Sequence, residues 1–180
     1  MQPAELFRFC PRCGVARAAE TVGKSPLRCG ACGFVFYFNP TVAAAAFVHD
    51  AEGRVLVIRR ARDPGAGKLG VPGGFVDFGE SAEEGMQREV REEVGLEIEA
   101  ARFLVSYPNL YFYAGVTYPV VDTYFAAVAL SPELAKALDG VASVEWRKPG
   151  DIPEDELAFD SARVGLRALL AGAVGIKGLA

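Results

Sequence analysis

Two groups of residues in this sequence have the types and spacing to do chemistry. The first is Cys10, Cys13, Cys29 and Cys32, the only cysteines in the chain, arranged as Cys10-Pro-Arg-Cys13 and Cys29-Gly-Ala-Cys32. Each C-x2-C pair can present two thiolates from one tight turn, with Gly14 and Gly33 easing the backbone, and four thiolates satisfy tetrahedral Zn²⁺. Four thiolates also close the coordination shell, which makes such a zinc structural: it would fold a segment too small to own a core. Redox chemistry by Cys10 and Cys13 is the weaker alternative, since it leaves the second pair surplus. Disulfides would more naturally staple the whole chain, so the clustering between positions 10 and 32 points to metal in a reducing cytoplasm.

The second group is Glu89, Glu92 and Glu93, on a helix predicted from Ser81 to Val94. At about 100° per residue, Ala82, Met86, Val90 and Val94 form one apolar stripe, and Glu93 falls roughly 20° from Met86, inside it. Burying an unpaired carboxylate is expensive, and carboxylates at i, i+3 and i+4 repel each other. A hard divalent cation such as Mg²⁺ resolves both conflicts, because it takes oxygen ligands and keeps room for substrate phosphates. Gly85, one turn before Glu89, leaves space for something to approach, and Arg88 is placed to pair with Glu92. The competing reading is a solvated acidic face.

The elements that must position these groups can be read along the chain. Residues 1 to 36 are rich in Cys, Gly and Arg with little periodicity, as a metal-held module would be. Thr41 to Val48 and Val55 to Ile58 read as strands around the turn signal Asp50-Ala51-Glu52-Gly53, with Arg59, Arg60 and Arg62 at the exit. Asp63 to Gly74 reads as a Gly/Pro loop. Ser81 can cap the carboxylate helix, with Glu83 and Glu84 in its first turn and Gly95 beyond its end. Strands follow at about Glu97 to Tyr107 and Tyr118 to Leu130, joined by an aromatic loop. A short helix over Pro132 to Leu138, a strand from Val144 to Arg147 and a helix from Asp160 to Ala171 complete the chain. The tail from Gly172 to Ala180 carries no signal. Strands mixed with helices, without strict alternation, predict an α/β sandwich on a mixed sheet.

Composition bounds the function. A length of 180 residues accommodates one domain and a small module, and 51% hydrophobic residues suffice for a core. The N-terminus lacks the pattern of a signal peptide, and the longest apolar run, Val42 to Val48, is too short to span a bilayer. A net charge of −4, with Lys24 the only lysine near the cysteines, speaks against broad nucleic-acid affinity.

From Gly74 the sequence reads GFVDFGESAEEGMQREVREEVGL, and it resembles the whole Nudix box. The constrained positions are Gly74, Glu80, Arg88, Glu89, Val90, Glu92, Glu93, Gly95 and Leu96. Upstream, Leu69-Gly70-Val71-Pro72-Gly73-Gly74 is similar to the loop that leads into that box, with Leu69 where many relatives carry Trp and Asp77 in place of a frequent Glu. The resemblance implies a Nudix-type α/β/α sandwich over 37 to 175, preceded by a zinc ribbon over 1 to 36. It implies Mg²⁺- or Mn²⁺-dependent cleavage of a diphosphate joining a nucleoside to another group. Glu89, Glu92, Glu93 and the backbone carbonyl of Gly73 would be metal ligands, oriented by Glu80 and Arg88. Glu89 is the first choice for the base that guides the nucleophilic water, with Glu133 and Asp139 left open. The ribbon makes the chain similar to the branch that includes NADH pyrophosphatases, although Ser106-Tyr107-Pro108-Asn109-Leu110-Tyr111 stands where NADH-type members carry Ser-Gln-Pro-Trp-Pro-Phe-Pro.

The remaining features concern the substrate. Arg59, Arg60 and Arg62 could hold its phosphates or simply decorate a strand end. Tyr107, Tyr111, Phe112 and Tyr113 could stack on a base, pack in the core or form a homodimer contact. His49, the only histidine, reads as a surface residue, and Trp146 as packed on the sheet. A small nucleotide is therefore the expected partner, with NADH, FAD or ADP-ribose foremost. The competing readings are a Nudix-fold module that senses a nucleotide without cutting it, and a nucleoside triphosphate or RNA-cap pyrophosphatase.

Overall fold

In the computed structural model, residues 1–172 are described. The domain end expected at residue 175 and the tail to Ala180 lie outside the described residues. The chain groups into two compact units: Met1–Thr41 with Leu110–Pro119, and Val42–Asn109 with Val120 onward.

The first unit is small. It holds a one-turn helix α1 (Pro3–Leu6) and the strand pair β1 (Leu27–Arg28) and β2 (Val35–Phe36). A bridge between Phe9 and Ala16 closes the first C-x2-C turn, as the β1–β2 pair closes the second. Leu27, Cys10 and Cys29 are its most buried side chains. Three or four such groups offset little of the entropy of ordering some forty residues.

The second unit is built on a seven-stranded sheet. Its main order is β5 (Leu69–Gly70), β4 (Val55–Arg60), β3 (Thr41–His49), β8 (Val116–Ala129), β7 (Ile98–Tyr113), with β6 (Gly73–Phe75) on β3 and β9 (Val141–Arg147) on β4. The strands alternate their faces, as the period-2 geometry of a strand requires. Ala44, Ala46 and Val48 of β3, Leu56 and Ile58 of β4, and Phe125 and Ala127 of β8 pack with Met86, Val90 and Val94 of helix α2 (Ala82–Val94). Their neighbours Phe47, Val55, Val57, Tyr124 and Ala126 pack with Ala162, Leu166 and Leu169 of helix α3 (Asp160–Gly172). One helix covers each face, and the α/β/α sandwich expected from the sequence is the fold observed.

Several local expectations are corrected. The aromatic loop proposed between two strands is itself strand. β7 and β8 run to a two-residue turn at Ala114 and Gly115, both at positive φ (48° and 82°), the signature of a type I′ hairpin. Tyr and Phe are good strand formers and the loop signals Pro108-Asn109 misled, because proline is tolerated on an edge strand such as β7. Asp63–Gly74 is not all loop, since β5 and the start of β6 lie within it. Arg59 and Arg60 are part of β4 rather than beyond its exit. The helix expected over Pro132 to Leu138 is a single 3-10 turn at Pro132–Leu134, and the last strand begins earlier, at Val141. His49 is half-buried with Nε2 unpartnered, not a surface residue, and burial lowers its pKa.

Candidate active site and metal centres

Helix α2 is fixed at both ends before it presents any carboxylate. Ser81 Oγ accepts from Glu84 N at 3.1 Å, and Glu84 Oε2 accepts from Ser81 N at 2.8 Å, a complete capping box. Gly95 ends the helix in the left-handed conformation (φ 69°). Gly85 is buried, and a Cβ there would stand 3.2 Å from both Val76 and the Glu80 carboxylate. What approaches the helix at that gap is therefore the loop 76–80.

Arg88 organises the outer part of the site. Nε and Nη2 donate to the two oxygens of Glu80 (2.9 and 3.1 Å), Nη1 donates to Glu89 (2.9 Å) and Glu92 (3.1 Å), and Nη2 also donates to the Phe75 carbonyl (2.9 Å). A guanidinium has five N–H groups, and here five bonds use them. The Arg88 guanidinium, with the Asp77 N–H, holds Glu80 below its ordinary pKa. One cation thus stands against four carboxylates, counting Glu93.

Glu89 and Glu93 lie deeper, against the paired glycines of β6. Gly74 faces Ala44 in the register, and a Cβ on Gly74 would stand 2.4 Å from Glu89 Oε1. Gly73 faces Ala45 so closely that a Cβ there would stand 2.4 Å from the Ala45 Cα, and its N–H donates to Glu93 Oε2 at 3.0 Å. The glycines are required by this close approach. Burial pushes Glu93 up to about 7, against the Gly73 N–H and Arg60 and with help from the negative charges of Glu89 and Asp139. Burial also raises Glu89, although Arg88 opposes it. Glu92 is exposed. The three carboxylates do not converge: Arg88 draws Glu89 and Glu92 one way and Gly73 draws Glu93 another. Among the described residues the only group whose ligand atoms all lie within 4.8 Å of one another is the four cysteines. The donor set nevertheless suits a hard cation, because Glu89 and Glu93 are half-buried carboxylates, Glu89 shares its one guanidinium with Glu80 and Glu92, and among the described residues no ion pair neutralises Glu93.

The candidate phosphate ligands separate. Arg59 is committed to the Gly67 carbonyl (2.5 Å) and Glu156 (3.5 Å), and Arg62 to Asp139 (2.9 Å). Arg60 donates Nε to the Pro64 carbonyl at 2.8 Å and lies over the Phe159 ring, 5.1 Å from its centroid. Its two terminal nitrogens keep their N–H donors, and its charge is felt at Glu93 and at Tyr124. Glu133 is exposed on the turn Pro132–Leu134, while Asp139 acts on Glu93 electrostatically. Tyr107 and Tyr111 lie on β7, Tyr107 exposed and Tyr111 half-buried. Phe159 had no signal in the sequence, where it is one aromatic before a helix. Asp122 was also missed: buried on β8, it accepts from Asn109 Nδ2 (2.8 Å) and Ser161 Oγ (2.5 Å), tying the hairpin to α3.

The four sulfurs of the first unit form a separate centre. Cys10 and Cys32 are 3.8 Å apart and Cys13 and Cys29 3.7 Å, with no disulfide. A tetrahedron of Zn–S bonds near 2.3 Å has edges of about 3.8 Å, so the sulfur spacing fits zinc. The Cys32 N–H, with that of Ala31 and against burial, lowers Cys29 to about 6. At Cys13 the Val15 N–H favours the thiolate, but proton sharing with Cys32 and burial outweigh it and the thiol is pushed up to about 12.

An α/β/α sandwich with a capped helix of carboxylates laid over a Gly-Gly strand is a framework that can seat a hard cation against an anionic substrate. Comparison with known proteins makes the assignment specific. The NUDIX domain profile matches residues 39–167, and the chain belongs to that family as a Nudix pyrophosphohydrolase. It is 30% identical over 130 residues to an ADP-ribose pyrophosphatase of Methanocaldococcus jannaschii, covering 71% of this chain and 72% of that one. It is 35% identical over 101 residues to the NAD-capped RNA hydrolase NudC of Chromobacterium violaceum, covering 55% of this chain but only 36% of the relative. A NUDIX hydrolase from Nitrosomonas europaea shares the fold with a TM-score of 0.69, 24% identity and 93% coverage of both chains.

Proposed function

We propose that the protein hydrolyses a diphosphate linking a nucleoside to a second sizeable group, with ADP-ribose, NADH and FAD the foremost substrates, and yields two monophosphates. The observation that carries this reading is the pair of half-buried carboxylates, Glu89 and Glu93, seated on Gly74 and Gly73, with no ion-pair partner for Glu93 among the described residues. Glu89, Glu92, Glu93 and the Gly73 carbonyl would hold Mg²⁺ or Mn²⁺. Bound there, the metal supplies positive charge to the diphosphate and eases deprotonation of water. Arg88 and Glu80 keep Glu89 and Glu92 oriented and take no part in proton transfer. Glu89, raised by burial, accepts the proton of the attacking water. Asp139, beside Glu93, is the second candidate for that proton. Arg60 offers its two free terminal nitrogens to a phosphate. The oxygen of water joins one phosphorus, the bridging P–O bond breaks, and the other phosphate leaves.

The four cysteines would hold one structural Zn²⁺, and their grouping supports membership of the zinc-ribbon branch that includes NADH pyrophosphatases. The similarity to the ADP-ribose pyrophosphatase supports a two-sided substrate over a nucleoside triphosphate. The similarity to NudC favours adding a 5′ NAD-capped oligonucleotide to the panel as the second reading. The test is incubation with each compound and Mg²⁺ or Mn²⁺ in ¹⁸O-water, with mass spectrometry of the products. Two monophosphates, one carrying ¹⁸O, are expected. Turnover of nucleoside triphosphates with none of the two-sided compounds would overturn the reading.

A further inference from the structure

The first unit carries an opening that neither the zinc centre nor the carboxylate helix uses. It encloses about 430 Å³, within the range of small-ligand sites, and every residue that lines it belongs to that unit. Its wall is aromatic. Phe7 and Phe36 lie nearly parallel (17°, centroids 5.8 Å apart), and Phe38 stands edge-on to both at 5.0 and 5.1 Å. A third ring, Phe34, lies near Phe36 at a small angle (23°, centroids 6.4 Å apart), and the 39% of Phe36 that stays exposed is the part left for a ligand.

The polar groups at this opening are few and free. Asn39 and Ser25 line it, both are exposed, and among the described residues neither side chain has a hydrogen-bond partner. A free amide offers a donor and an acceptor side by side, which matches the edge of a nucleobase. Lys24 lies between the lining residues Gly23 and Ser25, exposed and, among the described residues, without an ion-pair partner. The surroundings have the sign an anion needs. Residues 1–41 carry Arg8, Arg12, Arg17, Lys24 and Arg28 against Glu5 and Glu20, a net +3, and the rest of the chain carries −7 of the total −4. Zinc with four thiolates would contribute −2 and leave the unit at +1.

We propose that this opening is a second nucleotide site, binding a nucleoside monophosphate unit with its base against the exposed part of the Phe36 ring and beside Asn39, and its phosphate toward Lys24. Base–aromatic stacking tolerates any base, while the amide adds a preference among them. The unit could arrive as a free mononucleotide or within an oligonucleotide, and the same chemistry recognises both. The site is independent of the catalytic reading, because it shares no residue with it.

The test uses the full-length, zinc-loaded protein in magnesium-free buffer, so that no hydrolysis intervenes. NMR titration follows the Asn39 side-chain amide and the rings of Phe7, Phe36 and Phe38 during addition of AMP or of a 5′-phosphorylated triadenylate. Saturable shifts at these signals with either ligand are expected. Asn39→Ala and Lys24→Glu, both surface changes, should each weaken binding about fivefold to tenfold, the scale of one hydrogen bond or one phosphate contact. Similar affinities for the two ligands would assign the site to free mononucleotides. Triadenylate bound tenfold or more tightly would assign it to oligonucleotides. No shift of these signals at millimolar ligand, or equal affinities in both variants and the parent, would overturn the proposal.

Discussion

The guanidinium of Arg60 lies over the ring of Phe159, 5.1 Å from its centroid, while its Nε is held by the Pro64 carbonyl. Two restraints in different directions fix the plane of the group and leave both terminal nitrogens available. A half-buried cation over a phenyl ring is worth about 1 kcal/mol, roughly fivefold in an equilibrium. Phe159→Leu should therefore raise KM for the diphosphate about fivefold with kcat little changed, and Phe159→Tyr should restore it. An unchanged KM in the leucine variant would remove Arg60 from the phosphate site.

Glu93→Gln should lower turnover by orders of magnitude. It should also stabilise the magnesium-free protein in a pH-dependent way. The folded-state pKa of Glu93 is raised from the ordinary 4.5 to about 7, so the folded protein binds the extra proton and wild type loses stability as pH rises through that window. Glutamine has no such loss. The melting temperatures of the two should agree near pH 4.5 and separate progressively up to pH 7, the variant being the more stable by up to about 3 kcal/mol. Added Mg²⁺ should narrow the gap by stabilising wild type alone. A gap that is constant with pH would contradict this.

One zinc per chain should be found by elemental analysis of protein purified without added metal. Cys32→Ser should lose it and lower the melting temperature. Absence of zinc, or a disulfide between Cys10 and Cys13, would sink the assignment.

Ala114 takes a left-handed conformation (φ 48°) in the turn between β7 and β8, where Gly115 is its partner. A residue with a Cβ costs about 1 kcal/mol there, and asparagine is the preferred occupant of such turns. Ala114→Asn should raise the melting temperature by a few degrees in a thermal scan, and a lowered one would mean that the turn differs from type I′.

Most of the site's outline was legible from spacing alone. Glu93 could be placed on the buried stripe of α2 because a helix has a fixed angular step, and Ser81 and Gly95 announce its ends chemically. The cysteine cluster was legible because metal ligands come in short, rigid pairs. The five bonds of Arg88 were legible only in part. Its neighbour Glu92 is one turn away, but Glu80 and the Phe75 carbonyl arrive through the path of a loop, which no period encodes. The same holds for Phe159 and Arg60, ninety-nine positions apart in the chain and in contact through the sheet end. The β7–β8 hairpin was misread for another reason. Pro108 and Asn109 are loop residues by local preference, and only the position of β7 at the margin of the sheet makes them acceptable in a strand.

That marginal strand has a consequence for the protein at high concentration. A strand as long as β7 at the end of the sheet order is a template on which further chains could grow by strand addition. The two-residue turn sets the alternation of β7, and Pro108, five positions back from Tyr113, falls where an N–H would point away from β8. At Ala100 the backbone turns to φ 52°, out of strand geometry. An incoming strand would lose a donor at one point and its register at the other. The margin of the sheet is thereby blunted against aggregation.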